Sequence, residues 1–374
     1  MFDTLSVFQI IVYISSLLSL LTILIYYWLI FGRLAFYNSK NKNNELYPVS
    51  VVISAKNEYL NLKENLLYIL EQDYPQFEVI VVDDCSDDDS AYFLKKLAEQ
   101  NPLLKVVTLS STKNFFKGKK FPLSIGIKSA KYEHILLTDA DCRPVSKNWI
   151  REMQAGFYGD TDIVLGFSPY EKTKGLLNYL IRYETFYTAL QYLSFSLSGL
   201  TYMGVGRNLA YKRSLFFDEK GFTGHYQIAS GDDDLFVNRA ASHANTNIVI
   251  SKDSFVTSMS KDSFAEWIAQ KRRHLTTGKY YRLKHKFLLA LLPFMIIIFY
   301  VSLILLFIYS NNIIFPFSLL FLKVVSQLII YKKCMQKLEQ RNFLLISLFL
   351  ELAYIFFIFF IFLTDIIKQP ERWS

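Results

Sequence analysis

Two aspartates one residue apart, Asp139 and Asp141, close the apolar run Ile135-Leu136-Leu137 and are the residues best placed to do chemistry. In α/β proteins ligands gather at the carboxyl ends of parallel strands. Paired carboxylates there suit a hard divalent cation, Mg²⁺ or Mn²⁺, which neutralises substrate phosphates. An isolated Asp-x-Asp is more often a turn with a helix cap. This one has company, because further polar clusters flank it in a consistent order.

Ser54-Ala55-Lys56-Asn57-Glu58 leaves the first apolar run, where a turn brings backbone and short polar groups to a nucleotide. Asp83 and Asp84 end the second run, placed to accept from a base or ribose, while Asp87–Asp89 read as caps of the next helix. Gly118-Lys119, within FKGKKFPL (116–123), offers a phosphate both a cation and helix amides. GVGRNLAY (204–211) is a close-packed glycine loop, and SGDDDLF (230–236) supplies Asp232–Asp234 as candidate bases. In QKRRH (270–274), Arg272 and Arg273 suit a leaving diphosphate. Taken singly, the lysines read as a solvated face and the arginines as the usual basic flank of a membrane span.

Such groups need a scaffold. The runs 49–54, 77–83, 104–109, 134–139 and 162–167 recur roughly every 25–30 residues, with helix-like segments Tyr59–Leu70, Ala91–Gln100, Phe121–Ala130 and Lys147–Gly156 between them. Continuous apolar runs are strands buried on both faces, and their alternation with helices predicts an α/β, doubly wound sheet. Residues 175–198 predict a helix that either lies on a membrane surface or is buried in the core.

The ends of the chain are different. With 52% hydrophobic residues and 33 Phe, the sequence is too apolar for one soluble domain. Residues 5–31 carry no charge over a length that spans a bilayer, and 287–309, 313–331 and 343–363 give three more candidate spans. A cleaved signal peptide fits poorly: the run is too long and no basic segment precedes it. The expected parts are an N-terminal transmembrane helix (1–32), a catalytic domain (48–285), C-terminal transmembrane helices (287–364) and a short tail (365–374). Arg33, Lys40, Lys42, Lys279, Arg282, Lys284, Lys286, Lys332, Lys333, Lys337 and Arg341 all fall on one side of these spans. The positive-inside rule makes that side cytoplasmic, which predicts an integral protein of the cell (inner) membrane with its catalytic domain in the cytosol. The net charge of +8 is then explained by topology and anionic lipid, with no call for nucleic acid. Three cysteines, with no Cys-x-x-Cys, predict reduced thiols rather than disulfides or zinc. Lys323 and Glu351 lie inside spans at matching depth, which predicts a buried pair joining the last two.

VVISAKNE, VIVVDDCSDDD, GKKFPL, TDADC, GVGRNLAY, GDDDLF and QKRRH, in that order, resemble the family-2 glycosyltransferases in their membrane-anchored form, akin to the cellulose and hyaluronan synthases. The resemblance covers about Pro48 to Lys279 and the flanking spans. It implies a Rossmann-like mixed sheet of the GT-A kind, a UDP- or GDP-linked sugar donor, a membrane-bound acceptor and a Mg²⁺ or Mn²⁺ cofactor. By the same resemblance, Ala55, Glu58, Asp83 and Asp84 contact the nucleoside and Lys119 the donor phosphates. Asp139 and Asp141 are the metal-binding pair, with Asp139 also against the donor. Asp232 falls on the base of the family's Glu-Asp-x-x-Leu element, with Gly231 where Glu is common. Gln270, Arg272 and Arg273 fall on Gln-x-x-Arg-Trp, with His274 replacing the Trp, a departure that argues against processive polymer synthesis.

Competing readings fit less of the chain. A haloacid-dehalogenase-type phosphatase also carries Asp-x-Asp after a strand, but its pattern continues to Thr or Val where Arg143 stands here. A dinucleotide oxidoreductase fits less well still, since GVGRNL lacks the third glycine and follows no early strand. A catalytically inactive scaffold that binds a nucleotide-sugar is the non-enzymatic alternative. Against it stands the full set of candidate carboxylates.

Overall fold

The computed structural model describes residues 6–38, 45–110, 118–228 and 230–367, with side chains to Leu363. Phe116, Lys117, Lys40, Lys42 and the tail from 368 lie outside the described residues. The chain divides into two compact units, a helical one built from its start to Asn38 and from Arg282 to Phe360, and an α/β one from Ser39 to Tyr281 that also takes in residues from Ile361 on.

Among the described residues the α/β unit is organised by nine strands: β1 Val49–Ala55, β2 Phe77–Asp83, β3 Leu104–Thr108, β4 His134–Leu137, β5 Cys142–Pro144, β6 Ile163–Leu165, β7 Leu209–Lys212, β8 Thr246–Ile248 and β9 Val256–Ser258. Seven form one sheet in the order β3-β2-β1-β4-β7-β6-β8, and β5 pairs with β9 in a separate ribbon. Parallel pairing runs from β3 to β4, then β7 lies antiparallel to both β4 and β6. The sheet is therefore mixed. β1 and β2 are buried almost throughout, as the unbroken apolar runs predict. The expected helices lie at Tyr59–Leu70, Ser90–Gln100, Lys120–Ser129 and Trp149–Gln154. Gly126 lets the third of these press onto the sheet, since a Cβ there would stand 2.5 Å from Val52 Cγ1 and 3.0 Å from Val82 Cγ2.

The helix Leu176–Leu197 resolves the open alternative in favour of the core. Ile181, Phe186, Leu190 and Leu193 are buried along it, and Tyr192 donates from its hydroxyl to Gly166 O at 2.7 Å. Short β7, β8 and β9 fell below what apolar runs reveal, because strands of three or four residues leave almost no periodicity to read.

The helical unit has the opposite distribution of apolar side chains. Three of its helices are long and apolar enough to cross a membrane: Val7–Ala35, Leu283–Tyr309 and Ile314–Lys337. A fourth, Ser347–Ile367, is apolar over its described part to Leu363 but shorter there. Val7, Leu29, Phe321 and Phe349 are 63–75% exposed, the outward apolar surface that lipid rather than water accommodates. Ser6 opens the first helix with a capping box shared with Gln9. At Tyr26–Phe31 that helix widens into a π turn.

Lys323 and Glu351 meet inside this unit, as their depth predicts. Lys323 Nζ is 2.6 Å from Glu351 Oε2, both side chains fully buried. Lys323 also donates to Gln327 Oε1 at 2.6 Å and Tyr300 OH at 3.2 Å. Glu351 Oε1 accepts from Tyr27 OH at 2.6 Å and from Tyr331 OH at 3.0 Å. Charges removed from water persist only when paired and hydrogen-bonded. All four long helices contribute to this satisfied network.

Candidate active site

The carboxyl ends of β1 and β2 are laced together by their following turns. Asn57, at φ 54°, donates its N–H to Ser86 Oγ at 2.9 Å, and its Oδ1 accepts from Asp87 N at 2.8 Å. Of the three aspartates expected as caps, Asp88 does the capping, accepting from Tyr59 N and Ser90 N, each at 3.0 Å. This turn leaves Ala55 buried at the strand end, in register with Asp83, and Asp84 N donates to Ala55 O at 2.8 Å. Asp83 and Asp84 are both buried. Asp83 Oδ1 has no hydrogen-bond partner among the described residues, an orphaned acceptor of the kind a bound ligand satisfies.

Next along the sheet, β4 hands over to the Asp-x-Asp turn, closed by Cys142 N donating to Asp139 O at 3.1 Å. Asp139 Oδ1 lies 2.9 Å from Lys119 Nζ, with both side chains 30% exposed. Burial would raise the Asp139 carboxyl, but Lys119, then Arg207 and Arg273, hold it below the usual range. Burial would also release the Lys119 proton, yet Asp139, Asp232 and Asp141 raise its pKa instead. Glu58, bonded by Asn61 Nδ2 at 2.6 Å, is pushed up mainly by burial, with Asp141 and Asp139 adding to it. Glu58, Lys119, Asp139, Asp141, Asp232 and Arg273 thus share one electrostatic neighbourhood.

The three aspartates of the 230–236 segment have separate duties. Asp233 caps the helix Asp234–Ala240, accepting from Asp234 N at 2.7 Å, and its other oxygen accepts from Gly206 N at 2.8 Å. Asp234 is buried and accepts from Leu235 N, Thr277 Oγ1 and Tyr281 OH. Asp232, half-exposed, takes part in neither network and is the carboxylate of the three left to face Lys119. Gly231 has a physical reason to replace Glu. Its φ is +98°, and a Cβ there would stand 2.5 Å from Leu235 Cδ1.

On the helix Phe264–Gly278, Gln270 and Arg273 stand three residues apart on one face. Gln270 Nε2 reaches Tyr170 OH at 3.4 Å, and Arg273 is an electrostatic neighbour of Asp139. Arg272 is about 200° round the helix from Gln270 and lies off that face. Lys271 points to the core, 2.5 Å from Glu184.

Two residues escaped the sequence reading. Arg207, inside GVGRNLAY, lies 4.3 Å over the Tyr170 ring and donates to Ser258 Oγ at 2.8 Å. Burial works against its charge, but Tyr170, Asp141 and Asp139 hold it protonated. The signal available was an arginine in a glycine loop, too common to single out. Lys120 was hidden within the lysine cluster although it is fully buried.

Among the described residues, no group of three or more His, Cys, Asp or Glu side chains is set to hold a metal ion. Two carboxylates on a turn nevertheless fit a cation of the Mg²⁺ type, which takes one or two protein carboxylates and completes its shell with substrate phosphates and water.

A mixed seven-stranded sheet with polar turns after β1, β2 and β4 defines a GT-A glycosyltransferase fold. The mannosyltransferase PcManGT from Pyrobaculum calidifontis, solved with GDP-Man and Mn²⁺, superposes on 90% of this chain and 96% of its own at a TM-score of 0.58 and 19% identity. Residues 50–218 match the family model described as glycosyl transferase family 2, so the chain carries a family-2 glycosyltransferase domain, flanked by apolar helices long enough to span a membrane. The poly-beta-1,6-N-acetyl-D-glucosamine synthase of Staphylococcus epidermidis is 31% identical over 121 residues, 31% of this chain and 28% of that protein. Its counterpart from Staphylococcus aureus strain COL is 28% identical over 126 residues, 31% of this chain and 29% of that protein. The match spans under a third of the length of these curated relatives.

Proposed function

We propose that this protein is an inverting, metal-dependent glycosyltransferase that moves a sugar from a nucleotide-sugar to a membrane-associated acceptor, with its α/β unit in the cytosol. The observation that carries the reading is the convergence of Lys119, Asp139, Asp141, Asp232 and Arg273, drawn from four separate segments, into one charged neighbourhood. Scattered carboxylates would do no joint chemistry; gathered ones support it.

In this reading Ala55, Glu58, Asp83 and Asp84 receive the nucleoside, and the orphaned Asp83 oxygen is the acceptor that a base or ribose donor satisfies. A Mg²⁺ or Mn²⁺ ion held by Asp141 and Asp139 supplies charge neutralisation at the diphosphate when bound. Lys119, Arg273 and Arg207 add fixed positive charge where the leaving diphosphate becomes more anionic. Gln270 would line the approach to it, whereas Arg272, off that face, has no part in this reading. Asp232 takes the proton from the acceptor hydroxyl as that oxygen attacks the anomeric carbon opposite the nucleotide, so configuration inverts. The name of the partial relatives suggests an N-acetylglucosamine donor, and the structural neighbour suggests GDP-mannose. Lipid-linked sugar, glycolipid or cell-surface polysaccharide are the acceptor classes, and His274 in place of Trp favours single addition.

The test uses the full chain purified in nanodiscs, a panel of UDP- and GDP-sugars, and Mn²⁺ against EDTA. One donor is expected to release its nucleoside diphosphate with Mn²⁺ and to label a lipid extract when its sugar is radioactive. If the protein neither binds nor turns over any donor in the panel, the reading is wrong.

A further inference from the structure

The first two lysines of the helix after residue 118 do different things. Lys119 reaches Asp139 at 2.9 Å. Lys120 is fully buried, and its Nζ donates to His225 O at 2.7 Å, Ile228 O at 2.8 Å and Ser230 O at 2.6 Å. An ammonium has three donors and no acceptor, so three carbonyls satisfy it. All three belong to the loop that runs into Gly231 and Asp232. One helical turn on, Ser124 Oγ bonds both to Lys120 O at 2.7 Å and to Tyr226 OH at 2.9 Å. One face of this helix therefore grips the loop at its start, middle and end.

A fully buried lysine ordinarily answers to a carboxylate. Here the acidic run is an electrostatic neighbour, while the hydrogen bonds go to backbone. Burial pushes the ammonium down to about 8, opposed by Asp232, Asp234 and Asp233. A side chain held at that cost by three carbonyls of one loop acts on that loop's position.

We propose that Lys120 is a positioning residue for sugar transfer, fixing through the carbonyls of residues 225, 228 and 230 the loop that presents Asp232 to the acceptor. The proposal rests on the reading of Asp232 as base. It divides the helix start into a donor-side lysine, Lys119, and a base-side lysine, Lys120. Lys120 touches no reacting atom, so its loss misplaces the base without emptying the donor site. A misplacement of about 1 Å is enough to cost on the order of 10²-fold in rate.

The experiment compares full-length wild type, Lys120→Met and Tyr226→Phe in nanodiscs with Mn²⁺, following UDP release from UDP-N-acetylglucosamine and GDP release from GDP-mannose, with hydrogen exchange over 224–236. Lys120→Met is expected to lower kcat about 10- to 100-fold, leave the donor KM within about threefold, and raise exchange in that segment alone. An unchanged kcat, or a KM that rises as steeply as kcat falls, overturns the proposal. Should Lys120→Met fail to fold, Tyr226→Phe, which removes one strut, is expected to lower kcat about two- to fivefold at constant KM; wild-type kcat there overturns it equally. If wild type hydrolyses neither donor, the assay moves to the donor found in the wider panel, failure of that whole panel is what sinks the functional reading, and exchange over 224–236 still decides whether Lys120 holds the loop.

Discussion

Lysine meets carboxylate in both units of this molecule, with opposite consequences. Lys323 and Glu351 are 2.6 Å apart, fully buried and enclosed by Tyr27, Tyr300, Gln327 and Tyr331. Lys119 and Asp139 are 2.9 Å apart, each 30% exposed, and set among the charges of Asp141, Asp232, Arg207 and Arg273. The first pair leaves nothing for a ligand to complete. The second is open on one side, and in the proposed function a diphosphate with its cation would replace each partner for the other. The same two functional groups are thus a fastener where the shell is closed and, in the proposed function, a binding site where it is not.

The contrast can be broken at several points, the first being the largest. Asp232→Asn is expected to cut transfer by about 10²–10⁴-fold while melting and donor binding stay as in wild type; near-normal turnover would remove Asp232 from its role. In the closed network, Lys323→Met or Glu351→Gln alone should destabilise the protein by about 3–5 kcal/mol, because a lone buried charge remains. The double variant should recover much of that loss in detergent-resistance melting curves. If it is no better than either single variant, the two residues are not a pair.

Lys119→Met sharpens the comparison from the open side. Its melting temperature should match wild type, since half-exposed ion pairs contribute little, whereas donor affinity by calorimetry should fall about tenfold through one lost charge-assisted bond. A large drop in stability with unchanged affinity would make it a fastener too. The smallest effect concerns pH. His134, stacked on Phe157 at 4.4 Å, is pushed down to about 4 by burial. Unfolded, it takes a proton below about 6.5, so the unfolded state binds more protons between those values and stability falls as pH drops from about 6.5 to 4. His134→Phe should flatten that slope by about 1–3 kcal/mol in acid melts of the α/β unit; an unaltered slope would show that His134 does not contribute.

What could be read from the sequence followed from length and repetition. β1 and β2, each seven residues of apolar text, announced themselves, and so did the polar turns after them. Lys323 and Glu351 could be paired in advance because helical rise fixes depth. Asp83 and Asp84 were visible for their position at a strand end. Lys120 was not, because burial is a property of three dimensions and the adjacent Lys119, identical in letter, lies on the surface of the site. Arg207 was missed for a related reason: its partners Tyr170, Ser258 and Asp139 come from distant segments. The division of labour among Asp232, Asp233 and Asp234 likewise depends on where a helix begins, and ends of helices are the least legible feature of any sequence.

The widened turn at Tyr26–Phe31 has a consequence for the end of the first helix. A π turn takes in about one residue more than an α turn, so the stretch beyond it is out of phase with the stretch before by roughly 100°. Ser16, Ser19, Leu20 and Ile23 before the joint, and Tyr27 and Phe31 within it, are buried at the three- and four-residue spacing of one continuous helical stripe. The extra residue therefore falls at the end of that stripe, and what it re-aims is the short stretch that follows, Gly32–Ala35.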